Sequence, residues 1–281
     1  MKSNTFSARL LVVLVVLGLS IVYLLPIYVM VVTSVKSAEE INTGNYLVPS
    51  TEPQFNNYIE VLFGSKRFRS QMFPRMTNSA IISLSVTALA IFFGGLGGYY
   101  LSRSRSGLSR FLFILVGIGL YLPYQVVIIP LSILMSRTGL GQSHAGLIFS
   151  YLILNVPLAT VLMGTFFLGV PRELEEAAEV DGASRVQIFF RVVAPISLPA
   201  YASVAIIVFT GVWNEFFLAL TLSSRDTQTV QVVMAEAAGT TLVLYNLQMA
   251  AALIAVIVPL IFFLVLGRYF IRGILAGALK G

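Results

Sequence analysis

The sequence predicts an all-α polytopic membrane protein, and three observations carry that prediction. Hydrophobic residues make up 57% of the 281 and charged residues only 11%, against about a quarter charged in a soluble domain. Mean hydropathy is +0.90. Uncharged apolar runs recur along the whole chain, each longer than the ~20 residues a helix needs to cross a ~30 Å hydrocarbon core. Runs such as LLVVLVVLGLSIVYLLPIYVMVV lack the alternation of membrane β-strands.

Six transmembrane helices are expected, at about 10–34, 76–101, 111–136, 145–168, 200–222 and 240–267, in a single membrane domain covering 1–281. The first follows Lys2 and Arg9, as a signal peptide would, but its apolar stretch exceeds the ~15-residue limit of a signal peptide's core and lacks a small-x-small cleavage site, so it reads as a retained helix. With a cytoplasmic N-terminus, eleven of the 18 Lys and Arg residues fall inside and seven outside, the expected bias. The basic cluster from Lys66 to Arg75 runs against it. An even helix count leaves both termini cytoplasmic. The segment 35–75, with Glu39, Glu40, Pro49 and Pro53, should form an ordered external lid or short helices rather than a separate domain.

Several chemistries are excluded. There is no cysteine, hence no disulfide or thiolate metal site, and His144 alone makes no zinc centre. The net charge of +6 is the flank chemistry of membrane helices; no basic stripe interleaved with aromatics points to nucleic acid. The glycine run from Gly94 to Gly98 has no strand before it and no Lys-Ser/Thr after it, so it is helix packing or a hinge, not a phosphate loop.

The segment 169–199, GVPRELEEAAEVDGASRVQIFFRVVAPISLP, carries all five acidic residues of the cytoplasmic side: Glu173, Glu175, Glu176, Glu179 and Asp181. Pro171 and the acids of the first turn suit a helix start, so a short helix is expected from Pro171 to Val180. Gly182 permits a turn, and Ser184 with Gln187 makes a capping box for a second helix. Pro195 and Pro199 end it. Two readings fit. One is an interfacial hairpin with a solvated acidic face, in which Arg172 pairs with Glu176; the other is an acidic knob, with small Ala177 and Ala178 beside it, that plugs into a soluble partner.

Glu176-Ala177-Ala178, three residues, Gly182, nine residues and Val192-x-Ala194-Pro195 resemble the EAA loop of ABC importer membrane subunits, EAA-x3-G-x9-I-x-L-P, with Val for Ile and Ala for Leu. DGAS from Asp181, WNEFF at Trp213 to Phe217 and the terminal GILAGALKG look like the carbohydrate branch, specifically the smaller permease of a maltose-type importer. The resemblance covers essentially the whole chain. It implies a coupling helix seated in a groove of a cytoplasmic ATPase, with Glu176 facing a basic residue there, Ala177 and Ala178 packing closely, Gly182 as the turn, and Asp181 and Ala183 beside it in the coupling segment. It implies that the tail Gly277, Ala278, Leu279, Lys280 and Gly281 reaches between ATPase subunits; a frayed terminus is the alternative. The implied partners are a second homologous permease, two ATPase subunits holding ATP and Mg, an extracytoplasmic sugar-binding protein and the lipid bilayer of a bacterial or archaeal cytoplasmic membrane. No cofactor is expected in this chain, which carries no Walker motif.

Trp213, Asn214 and Glu215 lie within the fifth apolar run. An ionisable group there is costly and usually serves a cavity or a partner. Glu215 fits an interhelical hydrogen-bonding role, a residue at the external end that reaches water, or contact with a sugar, and the resemblance favours the last. Asn214 and Trp213 are residue types that bind hydroxyls and stack on pyranose faces. Asn155 near Pro157, and Tyr124 and Gln125 after Pro123, lie where prolines free backbone groups, at packing kinks or at a cavity wall. The expected function is a sugar-importing permease subunit, not an enzyme. The alternative is a gradient-driven carrier, for which Glu215 is the one candidate ion ligand.

Overall fold

The computed structural model describes residues 3–121, 123–238 and 244–278. All regular structure among them is helical. α1 (Ser3–Ser34) is followed by the short α2 (Ala38–Asn42) and α3 (Asn56–Phe63), then α4 (Met72–Arg103). α5 (Gly107–Gly119) and α6 (Gln125–Arg137) lead to α7 (His144–Leu168). The 169–199 segment forms α8 (Glu173–Val180), α9 (Arg185–Ile188), a π-helical turn (Phe189–Val193) and α10 (Ala194–Ile196). α11 (Leu198–Asn214), α12 (Phe217–Leu222), α13 (Val230–Ala238) and α14 (Tyr245–Ala278) complete the chain.

Four helices among the described residues are long and apolar enough to cross a membrane: Arg9–Ser34, Met72–Arg103, His144–Leu168 and Tyr245–Tyr269. The two other expected spans are interrupted. The one over 111–136 is divided into α5, ending at Gly119, and α6, starting at Gln125, with Pro123, which has no amide to donate, between them. The one over 200–222 stops at Asn214, because Glu215 adopts an extended conformation (φ −73°, ψ 130°) before α12 begins. At its other end, α11 is bent by 77° from the helices at Arg185–Ile196. The last helix begins at Tyr245 and reaches Ala278.

The chain forms two compact units, residues 1–73 with 233–256, and 74–232 with 257–281. In the first, buried amides fasten the end of α1, α3 and the start of α14: Asn57 Nδ2 donates to the carbonyls of Ser34 (2.9 Å) and Lys36 (3.0 Å), and Asn246 Nδ2 to Lys36 (3.1 Å). Between residues 35 and 75 the chain forms the short helices α2 and α3. A capping box of Ser37 and Glu40 opens α2, and Arg67 pairs with Glu60, holding that carboxyl below the usual carboxylate range by its hydrogen bond.

The second unit packs α4, α6, α7, α11 and α12 around buried Ile82, Val86, Leu131, Leu147, Met163, Phe167, Val208 and Leu218. Glycines set the spacing of α4 and α7. A Cβ on Gly94 would lie 2.5 Å from that of Ala159, and one on Gly98 2.6 Å from the Gly164 amide nitrogen and 2.7 Å from the Thr160 carbonyl. The glycine run is thus a surface of close helix approach.

Candidate functional site

The 169–199 segment folds as a helical hairpin, as its residues demand. Acids Glu173, Glu175 and Glu176 occupy the first turn of α8, complementing the positive end of its dipole. Gly182 takes φ +82°, a left-handed conformation that costs glycine least. The Ala183 amide donates back to Ala178 (3.0 Å), closing the end of α8. Ser184 and Gln187 form the expected capping box, with bonds of 2.8 and 3.4 Å. The helix starts at Glu173, after Pro171 and Arg172.

One face of the hairpin is fixed to the bundle. Glu175, 9% exposed, pairs with Arg103 at the end of α4 (2.6 Å) and accepts a hydrogen bond from Tyr99 (2.8 Å). Arg103 also donates to the Val170 carbonyl (2.9 Å). Below this polar clasp, Phe189 packs against Tyr99 and Phe167, with ring centroids 5.1 and 6.2 Å away. Ala178 and Ala183 lie against the same core. The Arg172–Glu176 ion pair does not form among the described residues; the hairpin's salt bridge is Glu175–Arg103.

The other face is open. Glu176, Ala177, Asp181 and Gly182 are exposed, and Val180 is 88% exposed. The two alanines therefore divide, Ala178 inward and Ala177 outward. A cleft of about 710 Å³ lies between this hairpin and the end of α4, lined by Arg103, Arg105, Arg172, Arg185, Glu176 and Glu179 among others. Sequence reasoning missed Glu175, Tyr99 and Arg103. Their signal was a basic residue closing α4 and an acid three residues before Ala178 on one helical face. Of the tail, Gly277 and Ala278 end α14, while Leu279, Lys280 and Gly281 lie outside the described residues.

The residues singled out in the apolar spans take unlike positions. Trp213 is 1% exposed and stacks on Phe209 at 5.8 Å, so it offers no ring face to a solute. Glu215 accepts from Tyr124 (3.0 Å) and Tyr151 (2.6 Å), and from the amides of Leu218 (2.9 Å) and Ala219 (3.2 Å). Asn214 is exposed, donating to the Thr210 carbonyl (3.0 Å) and accepting from Gln231 (3.2 Å). Gln125 is exposed at the start of α6, and Asn155, half-buried, donates to the Tyr151 carbonyl (2.9 Å). Elsewhere in the unit His144 pairs with Asn78 (2.9 Å), whose amide also holds the Asp226 and Gln228 carbonyls. No group of His, Cys, Asp and Glu among the described residues could hold a metal ion.

Comparison with known proteins agrees with this arrangement. Residues 87–276 match the family described as binding-protein-dependent transport system inner membrane component. The chain is 34% identical over 265 residues to a glucose import system permease protein of Saccharolobus solfataricus, covering 92% of this chain and 90% of that one. It is 30% identical over 281 residues to a melibiose/raffinose/stachyose import permease protein of Bacillus subtilis, covering 99% of each. In fold it resembles a chain of a bacterial ABC transporter that imports the acidic polysaccharide alginate, with a TM-score of 0.80, 22% identity, and coverage of 96% of this chain and 98% of that one. The chain belongs to the family of binding-protein-dependent transport system inner membrane components.

Proposed function

We propose that this chain is one of two unlike permease subunits that together form the pore of a sugar importer, driven by ATP hydrolysed on two cytoplasmic ATPase subunits and supplied by an extracytoplasmic sugar-binding protein. The carrying observation is the two-faced hairpin. Glu175 and Phe189 weld it to the bundle, while Glu176, Ala177, Asp181 and Gly182 face outward. Such a part converts a push from a soluble partner into movement of helices, and it needs no nucleotide chemistry of its own. Glu176 would meet a basic residue of the ATPase, and the tail 277–281 would reach between the two ATPase subunits. In this reading α5 with α6, and α11 with α12, each make one crossing, giving six, with both termini cytoplasmic in a bacterial or archaeal inner membrane.

Sugar as cargo is supported by the names of the relatives and by the chemistry of one exposed strip. Thr210, Gly211 and Asn214 are exposed on α11, with Gln231 beside Asn214. Amides that both donate and accept suit hydroxyls, and a face this polar is poorly matched to lipid. Asn214, Gln125 and Asn155 would line the path, with Tyr124, Glu215 and Trp213 behind them. The gradient-driven alternative finds little support in Glu215, whose carboxylate already accepts four hydrogen bonds.

The test is recovery of the tagged protein from its native membrane in mild detergent, with mass spectrometry of what accompanies it, beside Glu176→Lys and Gly182→Asp variants. Co-recovery of an ATPase and a second permease, with the ATPase lost in the variants, is expected. Recovery of this chain alone, with uptake unchanged in the variants, overturns the reading.

A further inference from the structure

The two interrupted spans meet at one carboxylate. α5 gives way to α6 at 120–124 and α11 to α12 at 215–216, and Glu215 touches both interruptions. Its Oε1 accepts from the Tyr124 hydroxyl, where α6 begins, and from the Leu218 amide; its Oε2 accepts from the Tyr151 hydroxyl on α7 and the Ala219 amide. The two amides belong to the first turn of α12, which no helical carbonyl satisfies. Two phenols and two amides are four donors for the four lone-pair directions of an ionised carboxylate. None remains for a solute hydroxyl, so the expectation of direct sugar contact at Glu215 is not supported by its geometry.

The four bonds are not equivalent. Those to Leu218 and Ala219 are local to α12, and Tyr151 is buried at 1% exposure. Tyr124 is half-buried and belongs to the other interrupted span, so its hydroxyl is the bond that must break if α6 and α12 are to part at their starts. Irregular backbone at membrane depth is tolerated where protein or a cavity surrounds it, and such places absorb large dihedral changes.

We propose that Glu215 is a positioning residue for transport: through Tyr124 it fastens the start of α6 to the start of α12, so that the half-helices beyond both interruptions move as one body when the path changes accessibility. The proposal rests on the importer reading above, and it separates Glu215 from the residues that meet the sugar.

The chain has no cysteine of its own, so two introduced cysteines are its only labelling sites, and labelling of the complex without them gives the background from the other subunits. In the assembled transporter, spin labels at Ile129→Cys on α6 and Leu220→Cys on α12, both exposed, should report one unchanged distance in the nucleotide-free and ATP-bound states. In the same complex Tyr124→Phe should broaden that distance, lower Vmax of uptake about tenfold, as loss of a hydrogen bond to a charged group allows, leave KM within about twofold, and raise ATP consumed per solute. Tyr151→Phe should lower thermal stability without changing ATP per solute. A label distance that differs between the two states, a raised KM at constant Vmax, or unchanged uptake and ATP per solute in Tyr124→Phe would each overturn the proposal. Uptake indifferent to ATP in the unmutated complex would instead remove the importer reading itself.

Discussion

Replacing Glu175 by Ala removes the salt bridge that holds the hairpin to α4. Arg103 and Glu175 stand 2.6 Å apart with side chains 13% and 12% exposed, so solvent screens the pair little. The gross attraction at that distance is about 6 kcal/mol at an effective dielectric constant of ~20. The hydrogen bond to Glu175 comes from Tyr99, and desolvation of both charged groups offsets most of the attraction, leaving a net of about 2 kcal/mol for a pair this little exposed. That is about a 30-fold shift in the equilibrium between seated and released hairpin, since ~1.4 kcal/mol is tenfold. Hydrogen exchange of the amides in 173–188 in the purified protein measures this shift. Glu175→Ala and Arg103→Ala should each accelerate exchange by about that factor, and the double variant should add little to either. Additive effects of the two substitutions, or exchange unchanged in both, would refute the clasp. Glu176→Ala should leave exchange unchanged, because its side chain is exposed and the hairpin's ion pair to α4 is made by Glu175.

Gly98→Ala would force a methyl within 2.7 Å of α7 backbone and should destabilise the bundle by about 1–3 kcal/mol in thermal unfolding, whereas Gly117→Ala, with open space around its Cβ position, should not. Gly182→Ala at φ +82° should cost about 1–2 kcal/mol by the same measurement, and Gly182→Asn less, since Asn tolerates the left-handed region. Glu60 has its carboxyl lowered by Arg67, so its contribution to the 35–75 segment is present above the unfolded carboxylate value and lost as pH falls through the lower folded one. Protection of amides 56–68 from exchange should therefore decline below about pH 4, and Arg67→Ala should shift that decline toward higher pH.

The helical class was legible because apolar runs longer than a bilayer admit little else, and the hairpin because Gly182, Ser184 and Gln187 act through local backbone chemistry. The interruption at 120–124 had a visible cause in Pro123, but prolines at 26, 130, 157 and 259 sit inside continuous helices, so proline alone does not announce a break. That at 215–216 could not be read, because it depends on phenols 91 and 64 residues away. For the same reason the motif pointed to Glu176, while its neighbour Glu175 took the intramolecular role. Adjacent acids on a short amphipathic helix look alike until the partner helix is placed. Trp213 has the composition of a sugar platform and the position of a core residue, a distinction that burial alone makes.

The glycine contacts between α4 and α7 have a mechanical consequence. Helices whose backbones touch at Gly94 and Gly98 have no compressible layer of side chains between them, so the pair bends little and behaves as a stiff rod. α4 has 32 residues, about 48 Å of helix, and Tyr99 and Arg103, which grip the hairpin, stand at one end of it, just past the glycines. In the proposed coupling role, a displacement of the hairpin would pass along the rod with little loss in the joint, and compliance would lie where helices are interrupted. The stroke reaching the opposite end would then be set by the angle through which the rod tilts.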